Sequence, residues 1–226
     1  MSALGEISAR LAHEIRNPLT GLKLHLQLLA ERVDERESAR VAQLLAEVQR
    51  LELLVSSTLM LGHEQVLERE PTWLVTLIDE VSDLMGPSLS HRGIDIARRC
   101  DDGLCASVDR ARLRQAILNL VTNAADAMPQ GGSLLVAAAA DDLRTTVTIA
   151  VEDSGQGVPE AVRAASEAAT PVSTKPFGLG LGLAVCREVA AAHGGELRIE
   201  RSAELGGARF VLTIPLSAPL PAVVRS

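Results

Sequence analysis

Seven residues near the start of the chain, H-E-I-R-N-P-L from His13 to Leu19, bring an imidazole, a carboxylate and an amide within about two helical turns. Neutral imidazole attacks phosphorus, and a carboxylate beside it accepts or steers its proton. Glu14 is that neighbour, and Asn17 lies one turn on, over the same face. Pro18 falls inside the helical pattern, where its ring deletes one backbone hydrogen bond and kinks the rod. His13 is two residues from both Leu11 and Ile15, about 200° round a helix from either, so it is expected to project into water. An exposed histidine on a helix needs no function; the helix-breaking proline beside this one singles it out. His25, His63 and His91 have no such neighbourhood and read as ordinary surface histidines.

Three further groups carry chemistry later in the chain. Asn119 and Asn123 are four apart, so both side chains point the same way from one helix. Asparagine is a poor helix former, and an amide oxygen suits Mg²⁺, although a hydrogen-bonded core pair accounts for them equally well. Asp153-Ser154-Gly155-Gln156-Gly157 follows a strand, where a carboxylate accepts a hydrogen bond from an amino group such as that of adenine and the glycines let the chain turn. A plain β-turn has the same composition. Gly178-Leu179-Gly180-Leu181-Gly182-Leu183 opens a helix, and free N–H groups at a helix start attract phosphate oxygens. It comes late and after a loop, which argues against a dinucleotide fold. Before it, Ser173-Thr174-Lys175-Pro176-Phe177 sits in an Ala-rich segment that reads as a lid carrying one Lys.

Composition narrows what surrounds these groups. Of 226 residues, 22 are basic and 29 acidic, so the net charge of −7 argues against coating nucleic acid. Aromatics make up 1%, too few to stack on bases, and the 47% apolar share must build an aliphatic core. Cys100, Cys105 and Cys186 show no C-x-x-C spacing and read as reduced thiols. No apolar run approaches the roughly 18 residues of a membrane helix, and the start has no signal-peptide core. The chain as given is therefore expected to be soluble and cytoplasmic, with any membrane attachment or sensor domain lying outside it.

The elements that must hold the chemistry fall into two parts. Leu4, Ile7, Leu11, Ile15, Leu19, Leu22, Leu26, Leu29 and Val33 recur at steps of three and four, the period of an amphipathic helix about 45 Å long. After a polar break at 34–38, Val41, Leu44, Val48, Leu51, Val55 and Leu59 resume the stripe. One such antiparallel hairpin cannot bury its stripe, but two can as a four-helix bundle, so a homodimer is predicted. From about Thr72 helices and strands mix. The pattern predicts a helix over 73–85 with a short strand at its start, a strand over 94–99, and a helix over 109–128 capped by Asp109. Strands over 134–140 and 145–152 follow, then a helix over 180–193 and a last hairpin over 196–201 and 208–215. Hairpins with helices on one face make a two-layer α/β sandwich. The domains expected are residues 1–67, a linker at 68–72, residues 73–217 and a tail at 218–226.

His13 to Leu19 resembles the phosphoacceptor box of dimeric sensor histidine kinases. Asn119-x-x-x-Asn123, then the D-x-G-x-G run from Asp153, then the G-x-G-x-G run from Gly178 resemble, in order, the N, G1 and G2 boxes of the histidine-kinase ATP-binding domain. That domain has the Bergerat fold shared with gyrase, mismatch-repair ATPases and heat-shock chaperones. N-A-A-D-A-M, Asn123 to Met128, is similar to the subgroup of nitrogen-regulation kinases. The resemblance spans residues 4 to 215.

It implies that His13 is phosphorylated from ATP at its ε nitrogen and passes the group to an aspartate of a response-regulator receiver domain. Glu14 would be its acid/base neighbour, and Asn17 would orient water when the regulator is dephosphorylated. Asn123 would ligate Mg²⁺ with Asn119 assisting, Asp153 would read the adenine amino group, and Gly155 and Gly157 would shape its pocket. Asp126 would join the nucleotide site, and Gly178, Gly180, Leu181 and Gly182 with Lys175 would hold the phosphates. Pro171-Val172-Ser173 stands where that subgroup carries two phenylalanines before T-K-P. A second reading therefore stays open, a nucleotide-binding dimeric scaffold or phosphatase-only partner whose kinase is weak because of the altered lid. A Bergerat ATPase or serine kinase is disfavoured: Asn119 stands where such ATPases place a water-activating Glu, and those serine kinases lack the N-terminal hairpin.

Overall fold

The computed structural model describes residues 67–101, 103–158 and 181–216, and before them residues 15, 18, 19, 21, 22, 25, 26, 29, 33, 37, 40, 41, 44, 45, 47, 48 and 51. The chain divides into two units, Met1–Gln65 and Val66–Ser226.

In the first unit the described residues up to Leu29 and from Glu37 onward are helical, Pro18 among them, and Val33 lies at a bend between the two stretches. Leu26, Val41 and Val48 are buried together, with Val33 and Leu45 packed against them. Ile15, Leu22 and Leu29 are each about half exposed, as are Leu44 and Leu51. Each of these two sets repeats every seven residues, the spacing of a seam between helices. The stripe therefore divides, one part closing the hairpin and the other facing outward.

The second unit opens with β1 (Glu70–Trp73), α1 (Leu74–His91), β2 (Ile94–Cys100), β3 (Cys105–Val108) and α2 (Arg110–Asp126). It continues with β4 (Gly132–Ala140), β5 (Thr146–Asp153), α3 (Leu181–Ala192), β6 (Glu196–Arg201) and β7 (Ala208–Pro215). Five strands form one mixed sheet in the order β2-β4-β5-β7-β6, and β1 and β3 form a separate antiparallel ribbon. The second and third helices and the two hairpins, β4–β5 and β6–β7, stand where the periodicity put them, while α1 runs on through Gly86 and Pro87 to His91, beyond the expected end at Met85. Three further features differ. β3 had no signal, being four residues long. β1, the short strand expected at the start of the helix, takes in Glu70 to Thr72 of the residues assigned to the linker, with Glu70 opposite Val108 and Trp73 opposite Cys105. And β2 joins the sheet parallel to β4, a long-range pairing that local pattern does not encode.

Register places Leu134, Val136 and Ala138 on the same face as Asp153, Val151 and Ile149, and then as Phe210 and Leu212. The helices cover that face: Arg98, in register with Val136, reaches Asp79 of α1 at 2.7 Å. The opposite face carries charge, with Arg209 Nε 3.1 Å from Glu152 and Arg209 Nη1 2.8 Å from Glu200 across neighbouring strands. The β4–β5 turn is held by Asp141, whose carboxylate accepts from Thr145 N and Oγ1 at 2.6 Å each and from Thr146 N at 2.9 Å. Those bonds lower its pKa.

Candidate functional site

Asp109 caps α2, accepting a hydrogen bond from Arg112 N at 3.1 Å, as Asp at this position should. Ten residues on, Asn119 is buried, and its Oδ1 accepts from Gln115 Nε2 at 3.3 Å. Asn123 follows one turn later, half-buried. Gly182, at the start of α3, lies against both: a Cβ there would sit 3.6 Å from Asn123 Nδ2 and 3.9 Å from Asn119 Cβ. The same two helices touch at mid-length, where Cys186 Sγ donates to Ala116 O at 3.4 Å. Burial raises the Cys186 pKa, so this thiol is an inert core residue.

Asp153 ends β5 and is fully buried. Its Oδ1 accepts two backbone N–H groups, from Gly155 at 2.9 Å and Ala208 at 3.1 Å. Its main-chain oxygen accepts from Gly207 N at 3.1 Å. Its Oδ2 is buried and has no hydrogen-bond partner among the described residues. Burial raises the carboxyl pKa, while the two N–H groups pull it down. One oxygen is thus saturated by backbone N–H groups, and the other is left without a donor among the described residues.

Backbone closeness explains two glycines here. A Cβ on Gly155 would lie 2.7 Å from Ala127 O, so the loop after Asp153 rests on the end of α2. A Cβ on Gly207 would lie 2.3 Å from Asp153 Oδ1 and 2.6 Å from Gly155 N. Gly157 takes a left-handed φ of 74°, open to glycine without strain. Ser154 Oγ bridges the loop to the neighbouring strand β4, accepting from Ser133 N at 2.9 Å and donating to buried Met128 Sδ at 3.4 Å.

The fold therefore gathers Asn119, Asn123 and Gly182 where α2 meets α3, and lays the Asp153–Gly157 loop over the end of α2 beyond them. Asp126 turns instead to Arg92, whose Nη1 lies 3.2 Å from its Oδ1. His13, Glu14, Asn17, Lys175, Gly178 and Gly180 lie outside the described residues, as does the side chain of Leu181, whose backbone opens α3. His25 and His91 are exposed as expected, and His63 lies outside the described residues. Sequence reasoning missed Gly207 and Ala208. The Gly206-Gly207 pair signals a hairpin turn, and nothing local shows that the turn closes on Asp153, 55 residues before Ala208.

Residues 3–65 match the family described as the His Kinase A (phospho-acceptor) domain. Residues 108–218 match the family described as histidine kinase-, DNA gyrase B-, and HSP90-like ATPase. The sensor histidine kinase ZraS of Escherichia coli (strain K12) is 36% identical over 219 residues, covering 95% of this chain and 46% of ZraS. Sporulation kinase A of Bacillus subtilis (strain 168) is 34% identical over 218 residues, covering 95% of this chain and 35% of that kinase. The chain thus spans half or less of the length of these curated relatives. Among solved structures, the catalytic domain of histidine kinase ThkA is similar with a TM-score of 0.59 and 31% identity, over 66% of this chain and 99% of that one. ThkA in complex with response regulator protein TrrA gives 0.62 and 32%, over 95% of this chain and 62% of that one.

Proposed function

The chain belongs to the sensor histidine kinases, and from that footing we propose that it is the catalytic core of a two-component system. In this reading ATP phosphorylates His13, and the group then passes to an aspartate of a response-regulator receiver domain. The observation that carries the reading is the orphaned, buried Oδ2 of Asp153. It fits the exocyclic amino group of adenine, a donor at a depth where an unpaired oxygen is costly.

The other residues take roles that their positions support. The amide oxygen of Asn123 fits a hard cation, so Mg²⁺ would be held there with Asn119 assisting, and it would neutralise charge on the phosphates. Gly182 lets the start of α3 approach the two asparagines closely. Gly178, Gly180 and the backbone of Leu181 offer N–H groups to the phosphates, and Lys175 adds a positive charge. His13 Nε2 attacks the γ-phosphorus; the P–N bond forms as the bond to the β–γ bridging oxygen breaks and ADP leaves. Glu14 steers the proton on the other ring nitrogen. The phosphoryl group then moves from His13 to a carboxylate oxygen of the regulator, and in a separate dephosphorylating activity Asn17 orients the water that attacks that aspartyl phosphate, releasing inorganic phosphate and restoring the carboxylate.

The outward heptad stripe of Ile15, Leu22, Leu29, Leu44 and Leu51 supports a homodimer closed as a four-helix bundle. Among the described residues no helix is long and apolar enough to cross a membrane, and we place the protein in the cytoplasm.

The test is incorporation of label from γ-labelled ATP. Wild-type protein should take up label that acid removes, and His13→Gln should take up none. Acid-stable label, or label retained by His13→Gln, overturns the assignment.

A further inference from the structure

His193 is buried at the end of α3, and nothing in the phosphoryl transfer above uses it. Its Nε2 accepts the backbone N–H of Asp109 at 2.9 Å. Its Nδ1 lies 2.7 Å from Val189 O, and because Nε2 accepts, Nδ1 carries the proton and donates. Only the neutral Nδ1–H tautomer makes both bonds. A second proton would set an N–H against the N–H of Asp109.

The neighbours fix both ends of this bridge. On one side, Gly194 N donates to Ala191 O at 2.9 Å and Gly195 N to Ala190 O at 2.8 Å, closing the end of α3. A Cβ on Gly195 would fall against Thr213 O of β7, so the turn cannot drift from the sheet. On the other side, Asp109 caps α2 and also receives Glu68 N–H at 3.4 Å from the chain entering the domain. The end of α3 therefore meets the start of α2, while Gly182 at the start of α3 meets Asn119 and Asn123. The two helices run antiparallel, and the His193 bond sets how far one is displaced along the other.

We propose that His193 is a positioning residue for nucleotide binding: its neutral tautomer locks the axial offset of α3 on α2, and so the placing of the phosphate-binding helix start opposite Asn123. This rests on the ATP reading above. The charged groups facing the ring are Arg69 ahead of β1, Asp109 capping α2 and Arg112 in its first turn, with Glu188 of α3 facing Arg112. Burial, with Arg69 and Arg112, depresses the imidazole pKa against the opposing Val189 bond and Asp109 charge. The bridge thus holds at neutral pH and opens in acid.

The experiment is calorimetric titration of the whole chain with Mg²⁺ and a non-hydrolysable ATP analogue, from about pH 8 downward through the imidazole range. Wild-type affinity should fall in acid. His193→Gln keeps an acceptor for Asp109 N–H; it should bind within about threefold of wild type at high pH and lose less in acid. His193→Leu should bind at least about tenfold more weakly at every pH. Acid-range loss common to wild type and His193→Gln belongs to groups other than His193, the terminal phosphate of the analogue and Asp153 among them. Superimposable profiles for these two proteins overturn the proposal, as does wild-type affinity in His193→Leu; if the Leu variant does not fold, the Gln profile decides. Wild-type protein that binds no analogue overturns the ATP reading itself, and this proposal with it.

Discussion

Ala208 donates its backbone N–H to Asp153 Oδ1 at 3.1 Å, joining the first residue of β7 to the last of β5, 55 positions apart. With Gly155 N on the same oxygen, this bond decides which carboxylate oxygen is spent on the fold and which is left without a partner among the described residues.

Replacing Asp153 by Asn should part stability from binding. Burial holds the folded-state pKa of this carboxyl above its unfolded value, so folding favours the uncharged form. That contribution is full below the ordinary carboxylate pKa and is lost as pH rises through the raised one. At neutral pH Asp153→Asn should therefore melt at or above the wild-type temperature without nucleotide. Its affinity for an ATP analogue should drop at least about tenfold, because an amide can no longer offer a charged acceptor to an amino group. Melting curves and titrations of the same preparation check both.

Two adjacent glycines should respond unequally to alanine. At Gly207 a Cβ would lie 2.3 Å from Asp153 Oδ1 and 2.4 Å from Asp153 O. Gly207→Ala should cost about 1–3 kcal/mol and, if Asp153 reads adenine as proposed, weaken nucleotide binding, since the displaced atoms are those of Asp153. At Gly206 nothing lies within 4 Å, and the φ of 86° alone is at stake. Gly206→Ala should cost about 1 kcal/mol and leave affinity unchanged. Melting temperatures, at about 2–4 °C per kcal/mol for a domain of this size, and analogue titration give the comparison.

Loss of the Asp109 side chain should destabilise the second unit through the start of α2. Asp109→Ala removes the cap on Arg112 N and should cost about 1 kcal/mol, while Asp109→Asn, itself a good cap, should cost less. Chemical denaturation of the three proteins measures the difference. Equal stability would mean that solvent satisfies the helix start unaided.

Leu22→Glu with Leu44→Glu places charge on the outward stripe of the hairpin and spares the Leu26–Val41–Val48 cluster. Sedimentation should show wild type as a dimer and the double variant as a monomer, with helix content retained and nucleotide binding unchanged. A variant that still sediments as a dimer would place the pairing surface elsewhere.

The reach of the sequence follows the range of each interaction. Helices and hairpins were legible because their signals are local: the Asp109 cap, the 3.6-residue stripes and the Gly206-Gly207 turn. Asn119 and Asn123 were legible because four residues along a helix fixes a shared face. The parallel pairing of Ile94–Cys100 with Gly132–Ala138 was not, since it depends on two segments meeting across α2. Nor was the bond between His193 and Asp109, 84 positions apart, where a buried histidine carries no mark that separates it from a surface one.

The ribbon of Glu70–Trp73 on Cys105–Val108 bears on where the ATP-binding half could be cut free by a protease. A nick after Trp73 would strip β3 of its mate, release the anchor of Arg69 Nη1 on Ser107 O at 3.3 Å and leave a sticky edge for neighbouring molecules. A nick before Leu67 would spare that seam, so a well-behaved excised fragment starts upstream of the strand.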